Sequence, residues 1–462
     1  MKNGMVKLMI LAELLLIAGC VSTKYLPQSA AEELGYSQEV AAQYQADQEW
    51  WKDYGNAELD RLVATALRNN PDYLKAAINI NKELYNLSLA TSDLFPTLYG
   101  SSGASTQRRI DTGDHFASNF TGEAGLNYEL DLYGKIRNQR SAQAFEYQAT
   151  VMDKETARLS LIYSVVDLYF NLEYLQNAID VTKDNIRAYE GIQDIMKEKY
   201  ENGRSDQLEY LESKQSLISE KSRLLELETS FKELETSLRN ILNLQAGEEL
   251  NLQYTDILQQ KTLGVDMDVP VSVLARRPDL LASQYRLEEA FENLKAEEKN
   301  WYPGISLNGA IASSSGKART VFDFPYILGS VSLDLPFLDW NRVKNNVKIS
   351  EADYQIAAID FKDTLNQAVN EVAYYYFAYV KADELYQNTL ENYQNAVKIT
   401  KYYDSRYNNG KTEFRNFLEA VNSENSLRKD LIAQKYQIIK YENYIYKAMA
   451  GRYQNKEEEQ DA

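Results

Sequence analysis

The chain has 462 residues, with 50 basic and 68 acidic side chains, a net charge of −18, one histidine and one cysteine. Such an acidic balance argues against nucleic acid as a partner, because nothing would neutralise the phosphates. A single cysteine allows no internal disulfide, and a single histidine, His115, leaves little for metal or acid–base chemistry; no nucleophile–base pair, phosphate loop or metal-spaced cluster is found, so no cofactor and no catalytic residue are expected.

In chain order, residues 1–19 come first, with Lys2 and Lys7 ahead of the apolar stretch Leu8–Ile17 and the small residues Ala18 and Gly19 before Cys20. That is the layout of a lipoprotein signal peptide cleaved before Cys20, which makes Cys20 the candidate lipidation site, its lipid covalent. The competing reading is an ordinary N-terminal anchor, but the apolar run is too short to span a bilayer. No later stretch of eighteen apolar residues follows, so a membrane passage would have to use β-strands. Residues 20–56 read as a polar, extended arm.

From there one offset organises the sequence. Pro71-Asp72 recurs as Pro278-Asp279, Pro96 as Pro303, Tyr169-Phe170 as Tyr376-Phe377, and Tyr200-x-Asn202-Gly203 as Tyr407-x-Asn409-Gly410, each 207 residues later. The expectation is an internal duplication: a first repeat at 57–246, a connecting segment at 247–269, a second repeat at 270–451, and a polar tail at 452–462. Each repeat opens with a short helix, near Ala57 and near Val271. A second helix starts at the Pro-Asp pair, where proline suits the first turn and aspartate the helix N-terminus.

A hairpin follows in each repeat, at about 97–132 and about 304–337. Ala124, Leu126, Tyr128, Leu130 and Leu132 alternate with Glu123, Asn127, Glu129 and Asp131; Val331, Leu333, Leu335 and Phe337 alternate with Ser330, Ser332 and Asp334. Period two means strand, and ten or more residues per strand suffice to cross a bilayer at a tilt. A soluble hairpin half-buried on a core is the alternative. Four strands cannot close a barrel, and open edges in lipid are costly, so several chains would have to share one.

Next come two long helical stretches, about 135–200 and 342–407, free of proline and with Gly191 their single glycine. At 1.5 Å per residue each would reach roughly 100 Å. Leu161, Val165, Leu168, Leu172, Leu175 and Ile179 form one seam, with Leu159, Tyr163, Val166 and Phe170 beside it. Two adjacent seams let a helix touch neighbours on both sides, as in a ring; a plain antiparallel bundle is the simpler alternative.

Leu67 to Asp72, Arg276 to Asp279, Tyr128 to Arg137, Leu335 to Arg342 and the two Tyr-x-x-Gly turns together resemble the TolC-like outer membrane factors, in the lipoprotein branch of OprM, CusC and NodT. The resemblance covers about residues 50–450; Trp340-Asn341 departs from it, standing where a glycine is usual. It implies an α+β membrane protein, in which a homotrimer forms a β-barrel shared between protomers, four strands from each, among outer membrane lipid and continued by a long α-helical barrel in the periplasm. It further implies the exit duct of a tripartite efflux pump, with a periplasmic adaptor and an inner membrane transporter, of RND type, as partners. The alternatives are a type I protein secretion duct and a lipid-anchored periplasmic coiled-coil scaffold without a pore. By the same resemblance Tyr407 and Glu419 line a periplasmic gate beside the turns at Gly203 and Gly410, with Arg415, Glu413, Asp206, Glu209 and Glu212 as neighbours.

Overall fold

The computed structural model describes residues 27, 29–111, 115–245, 247–323 and 325–455; Cys20 and the signal segment lie outside them. In order, the elements are α1 (Ala30–Leu34), α2 (Gln38–Gln43), β1 (Tyr44–Asp47), α3 (Ala57–Asn69), α4 (Pro71–Ser92), β2 (Thr97–Gln107), β3 (Ala117–Leu130), α5 (Lys135–Glu201), α6 (Gln207–Ile241), α7 (Pro278–Glu298), β4 (Gly304–Ser315), β5 (Tyr326–Asp334), α8 (Trp340–Asn408), α9 (Phe414–Ala448) and β6 (Arg452–Asn455). Short 3-10 helices punctuate them. No helix among the described residues is long and apolar enough to cross a membrane.

The chain divides into two compact units. One holds residues 85–147 and 284–361 and is built around an antiparallel meander in the order β2-β3-β4-β5. Its register sorts the side chains, because directly opposed residues share a face. Tyr128, Leu307 and Val331 form one row, Leu130, Ile305 and Leu333 the next, and Ala124, Ile311 and Ile327 another on the same side. The opposite side carries Thr97, Asn127, Asn308 and Ser330, and then Glu129, Ser306 and Ser332. The apolar side is uncovered over much of its area: Ile327 and Val331 are exposed. A hairpin half-buried on a soluble core would hide that side, and this one does not. Among the described residues β2 and β5 pair on one edge only.

One glycine is dictated by close approach. A Cβ on Gly125 would lie 2.6 Å from the Tyr99 ring and 2.8 Å from the Gly309 carbonyl oxygen, and Tyr99 Oη, laid across it, donates to Glu123 Oε1 at 2.8 Å.

The strands stop sooner than the alternation suggests. Asp131, expected at the end of β3, turns back instead to accept from the backbone N–H groups of Ile136 and Arg137, at 3.0 and 3.1 Å, and so caps α5. Gly134, at φ +80°, makes that turn possible. In the second copy Leu335 and Phe337 lie beyond β5, and a 3-10 turn, Pro336–Asp339, leads into α8 at Trp340 without any glycine. Trp340-Asn341 thus changes the turn and leaves the helix in place.

The other unit holds residues 30–84, 148–283 and 362–455. Here α3 starts at Asn56, whose side chain accepts from Glu58 and Leu59 N–H at 3.0 and 3.1 Å. Its expected counterpart near Val271 is not an α-helix but a six-residue 3-10 turn, Val271–Arg276. Pro270, extended at ψ 144°, stands at the position of Val63 in the middle of α3 and stops a helix from starting earlier, while Arg277, extended at ψ 129° before Pro278, ends the turn.

The arm is also more ordered than its polar composition suggests. It forms α1, α2 and β1, and β1 pairs antiparallel with β6, so the first four residues of the expected polar tail form a strand. Trp50 and Tyr54 are buried against α9: Trp50 Nε1 donates to Asn443 Oδ1 at 2.9 Å, and Tyr54 Oη to Glu442 Oε2 at 3.2 Å. Glu442, fully buried, also accepts from the Leu263 and Gly264 N–H groups at 3.3 and 2.8 Å. One carboxylate therefore ties together the arm, the connecting segment and α9; burial pushes its pKa up from the usual range.

Candidate functional site at the helical turns

Two turns reverse the chain, one between α5 and α6 and one between α8 and α9, and their backbones match. Gly203 N–H donates to Tyr200 O at 3.0 Å and Arg204 N–H to Lys199 O at 2.8 Å; Gly410 and Lys411 repeat this with Tyr407 and Arg406, both at 2.9 Å. Both glycines have φ of +68° with open space around them, so the left-handed backbone, not crowding, requires glycine.

The flanking side chains keep the match and then break it. Tyr200 stacks on Tyr210 with centroids 5.9 Å apart and planes 3° apart; Tyr407 stacks on Phe417 at 5.8 Å and 2°. Tyr407, however, has a cation and Tyr200 has none among the described residues. Lys199 Nζ donates to Tyr407 Oη at 2.6 Å and lies 4.6 Å from its ring centre. Arg406, which holds the position of Lys199 in the second copy, instead reaches Tyr402 Oη at 2.6 Å and the Lys411 carbonyl at 3.2 Å. Beneath Tyr407 lie the buried Met196, Phe414 and Leu418.

The expected site residues fall into separate groups. Asp206 is the N-cap of α6 and accepts from Glu209 N–H at 3.0 Å, while Ser205 Oγ donates to the Glu209 carboxylate. Glu413 occupies the same place before α9 but makes no side-chain cap; Asn416 bonds Thr412 there, at 3.1 Å. Arg415 lies between two carboxylates, 3.4 Å from Glu419 and 3.7 Å from Glu212, with Glu419 largely exposed. No hydrogen bond or ion pair among the described residues joins Tyr407 to Glu419. The structure thus brings Arg415, Glu212 and Glu419 together, places Asp206 and Glu209 in a cap, and seats Tyr407 with Lys199. Lys199, Phe414 and Phe417 are absent from the sequence reading, although a basic residue before the turn tyrosine, repeated at 406–407, was there to be seen.

Farther along the helices a partly buried ion pair links α6 to α9: Lys429 Nζ donates to both Glu220 oxygens at 3.1 Å, and Asn185 of α5 adds a bond at 2.9 Å. These three polar groups join α5, α6 and α9 at one level of the seam.

Residues 62–244 and 269–451 both match the sequence profile of the outer membrane efflux proteins. The chain is 38% identical over 437 residues to an uncharacterised protein of Haemophilus influenzae, covering 95% of this chain and 96% of the relative. It is 37% identical, again over 95% and 96%, to toxin and drug export protein A of Aggregatibacter actinomycetemcomitans. In fold it is similar to the CmeC outer membrane channel of Campylobacter jejuni, with a TM-score of 0.79, 23% identity and coverage of 94% of this chain and 93% of that one.

Proposed function

For a chain that belongs to the outer membrane efflux protein family, we propose a trimer in which each copy contributes β2 to β5 to one closed twelve-stranded barrel and its helices to a duct in the periplasm. The protein is the outer membrane channel of an efflux pump. It conducts passively, and energy comes from an inner membrane transporter of RND type, joined through a periplasmic adaptor. Cys20, lipidated after cleavage, adds an anchor to a barrel that already fixes the protein in the membrane.

The observation that carries this reading is the sheet: one side apolar and uncovered, the other polar, with both outer edges unpaired among the described residues. In lipid an open edge leaves backbone N–H and C=O groups without partners, and closure with further copies removes that cost. Two family matches 207 residues apart at both ends support the reading of each chain as a doubled unit.

The two turns form the periplasmic gate. At rest the Lys199–Tyr407 contact and the Arg415 bridge between Glu212 and Glu419 hold the flanking helices, and the adaptor opens the end by drawing them apart. Each contact is partly exposed and contributes about 1 kcal/mol, but a threefold set biases a two-state opening. Purified protein in planar bilayers tests both statements. Wild type should show small conductance steps, and Tyr407→Phe with Glu419→Ala larger ones. No conductance from well-folded protein would overturn the channel; equal conductance in the double variant would remove these residues from the gate.

Protein export is a second reading, favoured by the relative named for toxin and drug export. A deletion strain that accumulates drugs while secreting its proteins normally decides for small-molecule efflux.

A further inference from the structure

Inside one copy, α5 meets α7. Phe145 stacks on Tyr285 with centroids 6.4 Å apart, Arg286 Nε lies 3.5 Å from Glu146 Oε2, and Glu289 hydrogen-bonds the same Glu146. At the 207-residue offset α5 corresponds to α8, and α7 corresponds to α4. Moving the contact one repeat onward takes Glu146 to Asp353. On the other side it takes Tyr285, Arg286 and Glu289 to Ile78, Asn79 and Lys82 of the following first repeat, which belongs to the next copy.

The residues that this shift selects are exposed. Asp353 is exposed on α8, Ile78 is exposed on α4, and the largely exposed Lys82 touches its chain neighbour Glu83 at 3.2 Å. The surrounding apolar residues follow the same rule. Ala142 and Ala149 of α5 are buried, whereas their counterparts Ile349 and Ile356 of α8 are 59% and 57% exposed. On α4, Tyr85 and Leu89 are likewise exposed.

Resting on the shared-barrel reading above, we infer that neighbouring copies meet α8 to α4, with Asp353 of one copy paired to Lys82 and Asn79 of the next. Opposite charges face each other there, where the internal contact sets two carboxylates together with Arg286 for relief. The contact is head-to-tail, so each copy offers α8 to one neighbour and α4 to the other, and a repeated rotation closes the ring. The apolar residues supply area, and the ion pair sets which turn of α8 lies against which turn of α4.

Lys82→Cys with Asp353→Cys, oxidised in membranes, should give covalent dimers and trimers on denaturing gels, while either single variant runs as a monomer. In a second arm, Lys82→Glu should speed subunit exchange about fivefold, as expected for loss of a partly exposed pair. Lys82→Glu with Asp353→Lys should bring exchange back to near the wild-type rate. Cross-linking, or recovery in the double reversal, supports the pairing. A trimer by light scattering that shows neither overturns the pairing and leaves the shared barrel standing; a stable monomer overturns the shared barrel itself.

Discussion

Phe170 of α5 and Phe377 of α8 hold the same place in two long helices of 67 and 69 residues, yet Phe170 is fully buried and Phe377 is 63% exposed. The cover over Phe170 comes from its own chain. The Tyr54 ring meets it edge-on at 4.9 Å, and α3 with the connecting segment completes the apolar cluster around it. In the second copy the counterpart of α3 is a short turn; it and Tyr44 of the arm pack on Val372 of α8, and among the described residues no ring lies against Phe377, which stays exposed. Two helices of like sequence therefore differ in how far a single chain covers them at this position: α5 is closed over within one copy, and α8 keeps an exposed face, the one that the proposed ring would cover.

Truncation at the two phenylalanines should break this comparison most plainly. Phe170→Ala should lower stability by about 3–5 kcal/mol through the cavity it leaves. Phe377→Ala should leave the fold of the chain intact, and thermal unfolding at several protein concentrations should place its effect in assembly. Equal, concentration-independent losses would erase the distinction.

The arm that finishes the first copy hangs on Glu442. Glu442→Ala strips an acceptor from the buried Leu263 N–H and from Gly264 N–H, and should cost about 2–3 kcal/mol, with early proteolysis near residues 255–268 as its signature. An unchanged digestion pattern would show that the arm is held elsewhere.

The internal α5–α7 contact should also answer to pH. Burial, with Glu146 beside it, pushes the Glu289 carboxyl up from 4.5 to about 7. The folded protein then keeps a proton that the unfolded chain releases. The stability from this group is present below about pH 4.5 and declines as pH rises through 7. Glu289→Gln should flatten that decline in thermal unfolding between pH 5 and pH 8.

The smallest effect belongs to the turn tyrosines. Tyr407→Phe removes the bond from Lys199 and should cost about 1 kcal/mol, whereas Tyr200→Phe should cost nothing within one copy. Equal shifts in unfolding midpoint would mean that the two turns are alike after all.

Much of this was legible before any coordinates. Proline-free, periodic stretches marked α5 and α8, and period two marked the strands, because apolar and polar side chains must separate across a sheet. The glycine turns were legible too, since only a left-handed residue closes them. Element ends were harder to read. Asp131 alternates as though in a strand but caps a helix, and nothing in its spacing says which use wins. The short turn at Val271 was concealed by the repeat itself, which encouraged a full helix where Pro270 and Pro278 leave room for six residues only. At the candidate site the turn tyrosine could be found by position, but its partner Lys199 lies 208 residues away, a pairing that depends on tertiary packing.

In the proposed assembly one chain is incomplete, and copies of it finish both the sheet and the α8 face. Light scattering of the detergent-solubilised protein, corrected for bound detergent, tests this most directly. A mass of three chains is expected, with strand and helix signals lost together on heating; a stable, fully folded monomer would contradict the shared assembly.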